Sequence, residues 1–190
     1  MTRQAAEPAD AVLARRASDG DREAAGMLID RHHAAVRRFL RRLTGRDDVA
    51  DDLAQDTFVR LLRYVDRYDE RYPMRTWLLT IARRLTINRA RHESRSMPSD
   101  DLTRVQSGGP DPSEPVQRDD EQSLLRQQLD AAIEKLSPPQ REAVVLFHQQ
   151  QLSVQDVAAV MQLPVGTVKS HLHRGRAVMR QYLSAHCEVA

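Results

Sequence analysis

The chain has 190 residues, with 29 lysines and arginines against 27 acids and 41% hydrophobic residues, a balance that suits one medium domain or two small ones. No run approaches the ~20 apolar residues of a membrane span, and the N-terminus lacks the basic-then-apolar order of a signal peptide. A cytoplasmic protein without membrane insertion is therefore expected. The single cysteine, Cys187, excludes an intramolecular disulfide and a cysteine-cluster zinc site, and it reads as a bystander.

Along the chain, Leu28, Ile29, Val36, Phe39, Leu40 and Leu43 recur at helical spacing, and Gly45 supplies a stop. A second helix is predicted from about Val49 to Tyr64. It carries Ala50, Ala54, Phe58, Leu61 and Val65 on one side and Asp52, Gln55, Asp56 and Arg63 on the other. A polar loop, Asp66 to Arg75, holds Tyr68, Tyr72 and Pro73. A third helix starts near Thr76 with Trp77, Leu78, Ile81, Ala82 and Leu85, and Arg84, Asn88, Arg91 and Arg95 follow at spacings that align them on one face.

Ser96 to Glu121 is rich in Pro, Gly, Asp and Ser and nearly free of large apolar residues, so it is predicted to be a flexible linker. Beyond it Leu125, Leu129, Ala132, Ile133 and Leu136 mark another helix. Ser137-Pro138-Pro139-Gln140 then reads as a helix start with a capping box. Ser153-Val154-Gln155-Asp156 opens a short helix ending near Met161, Leu163 to Gly166 is a turn, and the last helix runs from Thr167. The expected fold is all-α: two small helical domains, 1–95 and 122–190, joined by a flexible acidic linker at 96–121.

Charge follows the same division. Arg60 to Arg95 holds ten arginines and four acids, Ser96 to Glu121 holds seven acids and two arginines, and Leu163 to Leu183 has four basic residues and no acid. Two basic segments separated by an acidic one suggest two polyanion-facing surfaces. The segment Leu152 to Leu183 has the pattern of a helix-turn-helix. Val157, Ala158, Met161 and Leu163 can pack on Val168, Leu172, Gly175 and Met179, while Thr167, Lys169, Ser170, His173, Arg174 and Arg176 face outward. Such side chains bond phosphate oxygens and base edges in a major groove. His171 and His173, two residues apart, do not share a helix face, which speaks against a metal site; no cofactor is expected.

Five stretches, in their order and spacing, make the chain resemble the extracytoplasmic-function (group IV) sigma factors of bacterial RNA polymerase. They are Asp19-Gly20-Asp21-Arg22-Glu23-Ala24-Ala25, Asp51-Asp52-Leu53-Ala54-Gln55-Asp56-Thr57-Phe58, Thr76-Trp77-Leu78-Leu79-Thr80-Ile81-Ala82-Arg83, Leu136-Ser137-Pro138-Pro139-Gln140-Arg141-Glu142 and Gly166-Thr167-Val168-Lys169-Ser170.

The resemblance implies a binding protein, not an enzyme, that directs core polymerase to promoters by their −10 and −35 elements. It implies docking of Asp52, Gln55, Asp56 and Arg63 on the beta-prime clamp helices, with further contact to the beta subunit. It assigns the −10 strand to Tyr68, Tyr72, Arg75, Trp77, Arg83, Arg84, Asn88 and Arg91, with Trp77 and Phe58 read first as core residues. The −35 duplex falls to Thr167, Lys169, Ser170, His173, Arg174 and Arg176. An anti-sigma factor is an expected partner besides polymerase and promoter DNA. Departures from the family pattern are Arg84, Asn88, His171 and Gly175; the glycine is expected to soften the last helix.

Three rival readings exist. A helix-turn-helix activator that does not replace sigma would carry an α/β sensor domain, and no strand pattern occurs here. A metal hydrolase using His32, His33, Asp51 and Asp52 lacks a spaced ligand set. A sigma-like adaptor that binds polymerase but not DNA would have no need of the two basic segments.

Overall fold

The computed structural model describes residues 8–96 and 120–186. Among them there is no strand, and helices account for nearly all residues: α1 (Asp10–Ser18), α2 (Arg22–Thr44), α3 (Asp47–Tyr64), α4 (Met74–Ser96), α5 (Asp120–Glu134), α6 (Pro138–Val144), α7 (Val154–Met161) and α8 (Val165–His186). A 3-10 turn, Val65–Arg67, follows α3, and a π-helical turn, Val145–Gln149, follows α6. The linker expected at 96–121 lies, from 97 to 119, outside the described residues, as does Cys187.

Local chemistry sets most boundaries. Asp21 caps α2 by accepting from the Glu23 and Ala24 amides at 3.0 and 3.1 Å, and Gly45, at φ +70°, ends it with an N–H to the Arg41 carbonyl. Asp47 and Asp48 in the first turn of α3 meet the positive end of its dipole. The Ser137 amide donates to Gln140 Oε1 at 3.2 Å at the start of α6, and Ser153 Oγ accepts from the Asp156 amide at 3.1 Å at the start of α7. The helix α1 was not anticipated; it docks by Leu13 and Ala14 and by Asp10, which takes Arg31 and His32. Both predicted turns are tighter than expected. Arg75 lies on the first turn of α4, and Val165 and Gly166 already belong to α8.

The first four helices bury Leu28, Phe39, Leu40, Leu53, Phe58, Leu61, Leu78 and Leu79 among themselves. In α5–α8 the core is Ile133, Leu136, Val144, Leu146, Val157, Val160, Met161, Val168 and Leu172. Gly175 of α8 is also a point of contact. A Cβ there would lie 3.0 Å from Val144 Cγ2, so the glycine lets α8 approach α6 closely.

The two groups also pack on each other, α4 against α7 and α2 against α6 and the π turn. Gln150, 2% exposed, donates from Nε2 to the Ala35 carbonyl at 3.2 Å, and its own carbonyl accepts from Arg75 Nη1 at 3.2 Å. Thr76 Oγ1 donates to Asp156 Oδ1 at 3.3 Å. Arg83 pairs with Glu142, and Arg42 with Asp130.

Candidate nucleic-acid interface

On α8, Val168, Leu172 and Gly175 turn inward and fix which side faces out. Lys169, Ser170, His173, Arg174 and Arg176 are exposed, and Thr167 is half-buried at the helix start. Arg176 is not loose: its guanidinium lies 5.2 Å over the Phe147 ring, and its Nε donates to His148 Nε2 at 3.3 Å. Burial and the neighbouring Arg176 hold His148 below its ordinary pKa, which keeps that nitrogen free to accept.

The loop before α4 is built around Tyr68. Its hydroxyl donates to the Tyr72 carbonyl at 2.7 Å, and its ring tilts against Trp77 with centroids 5.6 Å apart. Burial raises the Tyr68 pKa, with Asp10, Glu70 and Asp69 adding to the shift, so the hydroxyl stays a donor. Tyr72 is 50% exposed, which leaves it open to stack on an unpaired base. Arg15 on α1 braces the loop from outside through a two-pronged pair with Glu70 at 2.6 Å.

Along α4, Arg84, Asn88 and Arg91 are exposed, Trp77 is half-buried, and Arg75 and Arg83 are drawn to the C-terminal helices. Six of the eight residues expected at the −10 strand therefore face solvent or the loop, and two face the other helical group. Phe58 is a core residue at 5% exposure, with His33 stacked on it at 5.8 Å.

On α3, Asp52, Gln55, Asp56 and Arg63 are exposed. Beside them the sequence reading missed an apolar groove of about 450 Å³ lined by Ile29, His33, Phe58, Val59 and Leu62, with Asp51 and Gln55 at its edge. Val59 and Leu62 are about half exposed, and their i, i+3 spacing was the signal that could have marked them. The residues between the two groups, Arg42, Asp130, Glu142 and Gln150, were also missed. Burial pushes the Glu142 carboxyl above its usual range, against the pull of Arg83 and, more weakly, His171.

Comparison with known families assigns this arrangement. The family model Sigma-70 region 2 matches residues 28–96, and the model Sigma-70, region 4 matches residues 126–179. The chain belongs to the extracytoplasmic-function sigma factors. The ECF RNA polymerase sigma factor SigE of Mycolicibacterium smegmatis is 36% identical over 84% of this chain, which spans 61% of that protein. The RNA polymerase sigma factor CarQ of Myxococcus xanthus is 33% identical over 87% of this chain and 92% of its own length. Among solved structures, the sigma factor RpoE of Bartonella quintana, in complex with the anti-sigma factor NepR, superposes with a TM-score of 0.70 at 27% identity, over 84% of this chain and 96% of that one. CnrH, in complex with the cytosolic domain of CnrY, gives 0.66 at 28% identity over 95% and 100%.

Region 2 of this sigma factor thus coincides with α2–α4 and region 4 with the last four helices, which removes the activator reading. No helix among the described residues is long and apolar enough to cross a membrane.

Proposed function

We propose that this ECF sigma factor binds core RNA polymerase in the cytoplasm and directs it to promoters through separate −10 and −35 contacts, by binding and not by bond-making. The observation that carries the reading is the outer face of α8. It is exposed, polar, free of acids and presented from a tight turn, as a major-groove reader must be. Lys169 and Arg174 suit phosphates or guanine edges, and Ser170 and His173 suit base edges.

Residues 1–95 act as the polymerase-docking and −10 unit and 122–190 as the −35 unit, with 96–121 connecting them. Arginines of α4 neutralise the backbone of the opened strand, and Tyr72 holds an unstacked base. The α3 surface supports polymerase docking: Asp51 lines an apolar groove on the helix that also exposes Asp52 and Asp56, which suits a basic amphipathic helix such as the clamp helices of the beta-prime subunit. Region 4 would meet the beta subunit. An anti-sigma factor covering these surfaces is the expected regulator, in keeping with the complexes of RpoE with NepR and of CnrH with CnrY.

The docking role is tested by co-purification with core polymerase. Val59→Asp with Leu62→Asp places charge in the groove and is expected to abolish the complex while −35 duplex binding persists. Undiminished assembly would remove α3 from the polymerase interface.

A further inference from the structure

The basic face of α8 continues past its first turns. Lys169, His173, Arg176 and Arg180 follow at spacings of four, three and four and are all exposed, so they line one side of the helix. Arg176 lies about three turns beyond the helix start at Val165. A recognition helix meets base edges with its N-terminal residues, so a cation this far along is placed for the flanking sugar-phosphate backbone.

Arg176 is also held from outside its own helix. The π turn Val145–Gln149 is closed by the Gln150 amide, which donates to the Val145 carbonyl at 3.0 Å. Such a turn spreads its residues over a wider ring than an α-helix does. Phe147 and His148, consecutive in sequence, meet edge to face at 4.9 Å, and both reach the Arg176 guanidinium. Gly175 allows this: with no Cβ against Val144, α8 comes close enough for its next residue to lie beside the π turn.

The two contacts divide the guanidinium between them. The Phe147 ring takes one flat face at 5.2 Å, and Nε, the donor nearest the stem, goes to His148 Nε2 at 3.3 Å. Nη1 and Nη2 are left for a further acceptor, and their fork matches two phosphate oxygens. Only the neutral imidazole, with its proton on Nδ1, accepts at Nε2. Burial and the nearby Arg176 favour that form.

We propose that Phe147 and His148 are positioning residues for the −35 duplex: they hold Arg176 with its terminal N–H groups set for a backbone phosphate at the edge of the major groove. A free arginine side chain loses rotamer freedom when it grips a phosphate, whereas one already held does not. The π turn therefore belongs to the −35 interface although α8 supplies the donors. The proposal rests on the −35 role proposed for α8.

The test uses the full chain assembled with core polymerase. The probe is a labelled duplex carrying the −35 element of a promoter mapped by run-off transcription, and affinity is read by fluorescence anisotropy. Arg176→Ala should bind about tenfold more weakly and reduce the slope of log K against log salt by about 0.9. His148→Ala should bind about fivefold more weakly and Phe147→Leu about threefold. His148→Gln, whose amide oxygen takes the place of Nε2, should stay within about twofold of the wild type. Once Arg176 is alanine, no substitution at 147 or 148 should have a further effect.

Unchanged or tighter binding by His148→Ala overturns the proposal; the tighter result would mean that the contacts hold Arg176 away from the duplex. Equal losses for His148→Ala and His148→Gln overturn it too, as does a loss that persists in the Arg176→Ala background. Each would give His148 a role in the fold or on the DNA in its own right. Wild-type affinity in Arg176→Ala, with Lys169→Ala impaired, overturns the proposal and leaves the −35 role of α8 standing. Affinity insensitive to both Lys169→Ala and Arg176→Ala removes that role, and the proposal with it. Should Phe147→Leu misfold, the two variants at exposed His148 decide the matter.

Discussion

Gly175 and Val144 meet so closely that a Cβ on the glycine would lie 3.0 Å from Val144 Cγ2. Alanine in place of a helical glycine is ordinarily worth about 1 kcal/mol, but here the added methyl collides with a neighbour. The obstacle is the far end of a buried side chain, so removing it should change the sign. Gly175→Ala alone is expected to leave urea stability unchanged or lower. In a Val144→Ala background the same substitution should stabilise by about 0.5–1 kcal/mol. Additive effects of the two changes would show that the contact does not govern the site.

His32 is buried between α1 and α2 with Nε2 3.0 Å from Asp10, while its Nδ1 has no partner. Burial lowers its pKa, Asp10 opposes the shift, and Arg75 and Arg31 add to it. Because the folded value lies below the unfolded one of about 6.5, the unfolded chain binds the extra proton first. The contribution to stability is thus complete above about pH 6.5 and is lost as pH falls toward the lower folded value. Urea midpoints of the wild type and His32→Gln should converge as pH is lowered from 7 to 5. Parallel curves would assign the pH dependence to other groups.

In the loop before α4, Tyr72 supplies the exposed ring and Tyr68 the hydrogen bond that shapes the turn. Tyr72→Ala is expected to cost about 1–3 kcal/mol in binding the −10 single strand, with fold stability within about 0.5 kcal/mol of the wild type. Tyr68→Phe keeps the ring against Trp77 and loses only the hydroxyl contact, so its effect on binding should be about 1 kcal/mol or less. Fluorescence anisotropy with a labelled oligonucleotide measures both, and a larger effect for Tyr68→Phe would reverse the assigned roles.

On α8, Lys169 and His173 share the open face but differ in what they can bond: an ammonium suits a phosphate, an imidazole a base edge. Lys169→Ala should weaken binding to every duplex alike and reduce the slope of log K against log salt by about 0.9. His173→Ala should weaken binding to the −35 duplex and leave unrelated duplexes unchanged. A salt slope insensitive to Lys169 would place it away from the phosphates.

The sequence made the helices legible where their signals are local. Asp21, Gly45, Ser137 and Ser153 each act within four residues, and the apolar spacing of α2, α3 and α8 is repeated over several turns. The nine-residue α1 was missed because few turns carry its pattern and its anchors, Arg31 and His32, lie more than 20 residues on. The contact of Gly175 with Val144 was not legible because a propensity does not register a neighbour from another helix. The joint between the groups was invisible for the same reason in stronger form. Gln150 meets Ala35 across 115 residues and Glu142 meets Arg83 across 59, and neither pair leaves a periodic trace. The exposed faces of α4 and α8 were readable from charge alone, whereas the burial of Arg83 on the first of them was not.

The most direct measurement adds the purified protein to sigma-free core polymerase and maps run-off transcripts from genomic promoter fragments. Expected are discrete transcripts that require both components, whose start sites align over shared −10 and −35 sequences, and that disappear with Val59→Asp and Leu62→Asp. Duplex binding without core-dependent initiation would contradict the promoter-directing role proposed for this chain.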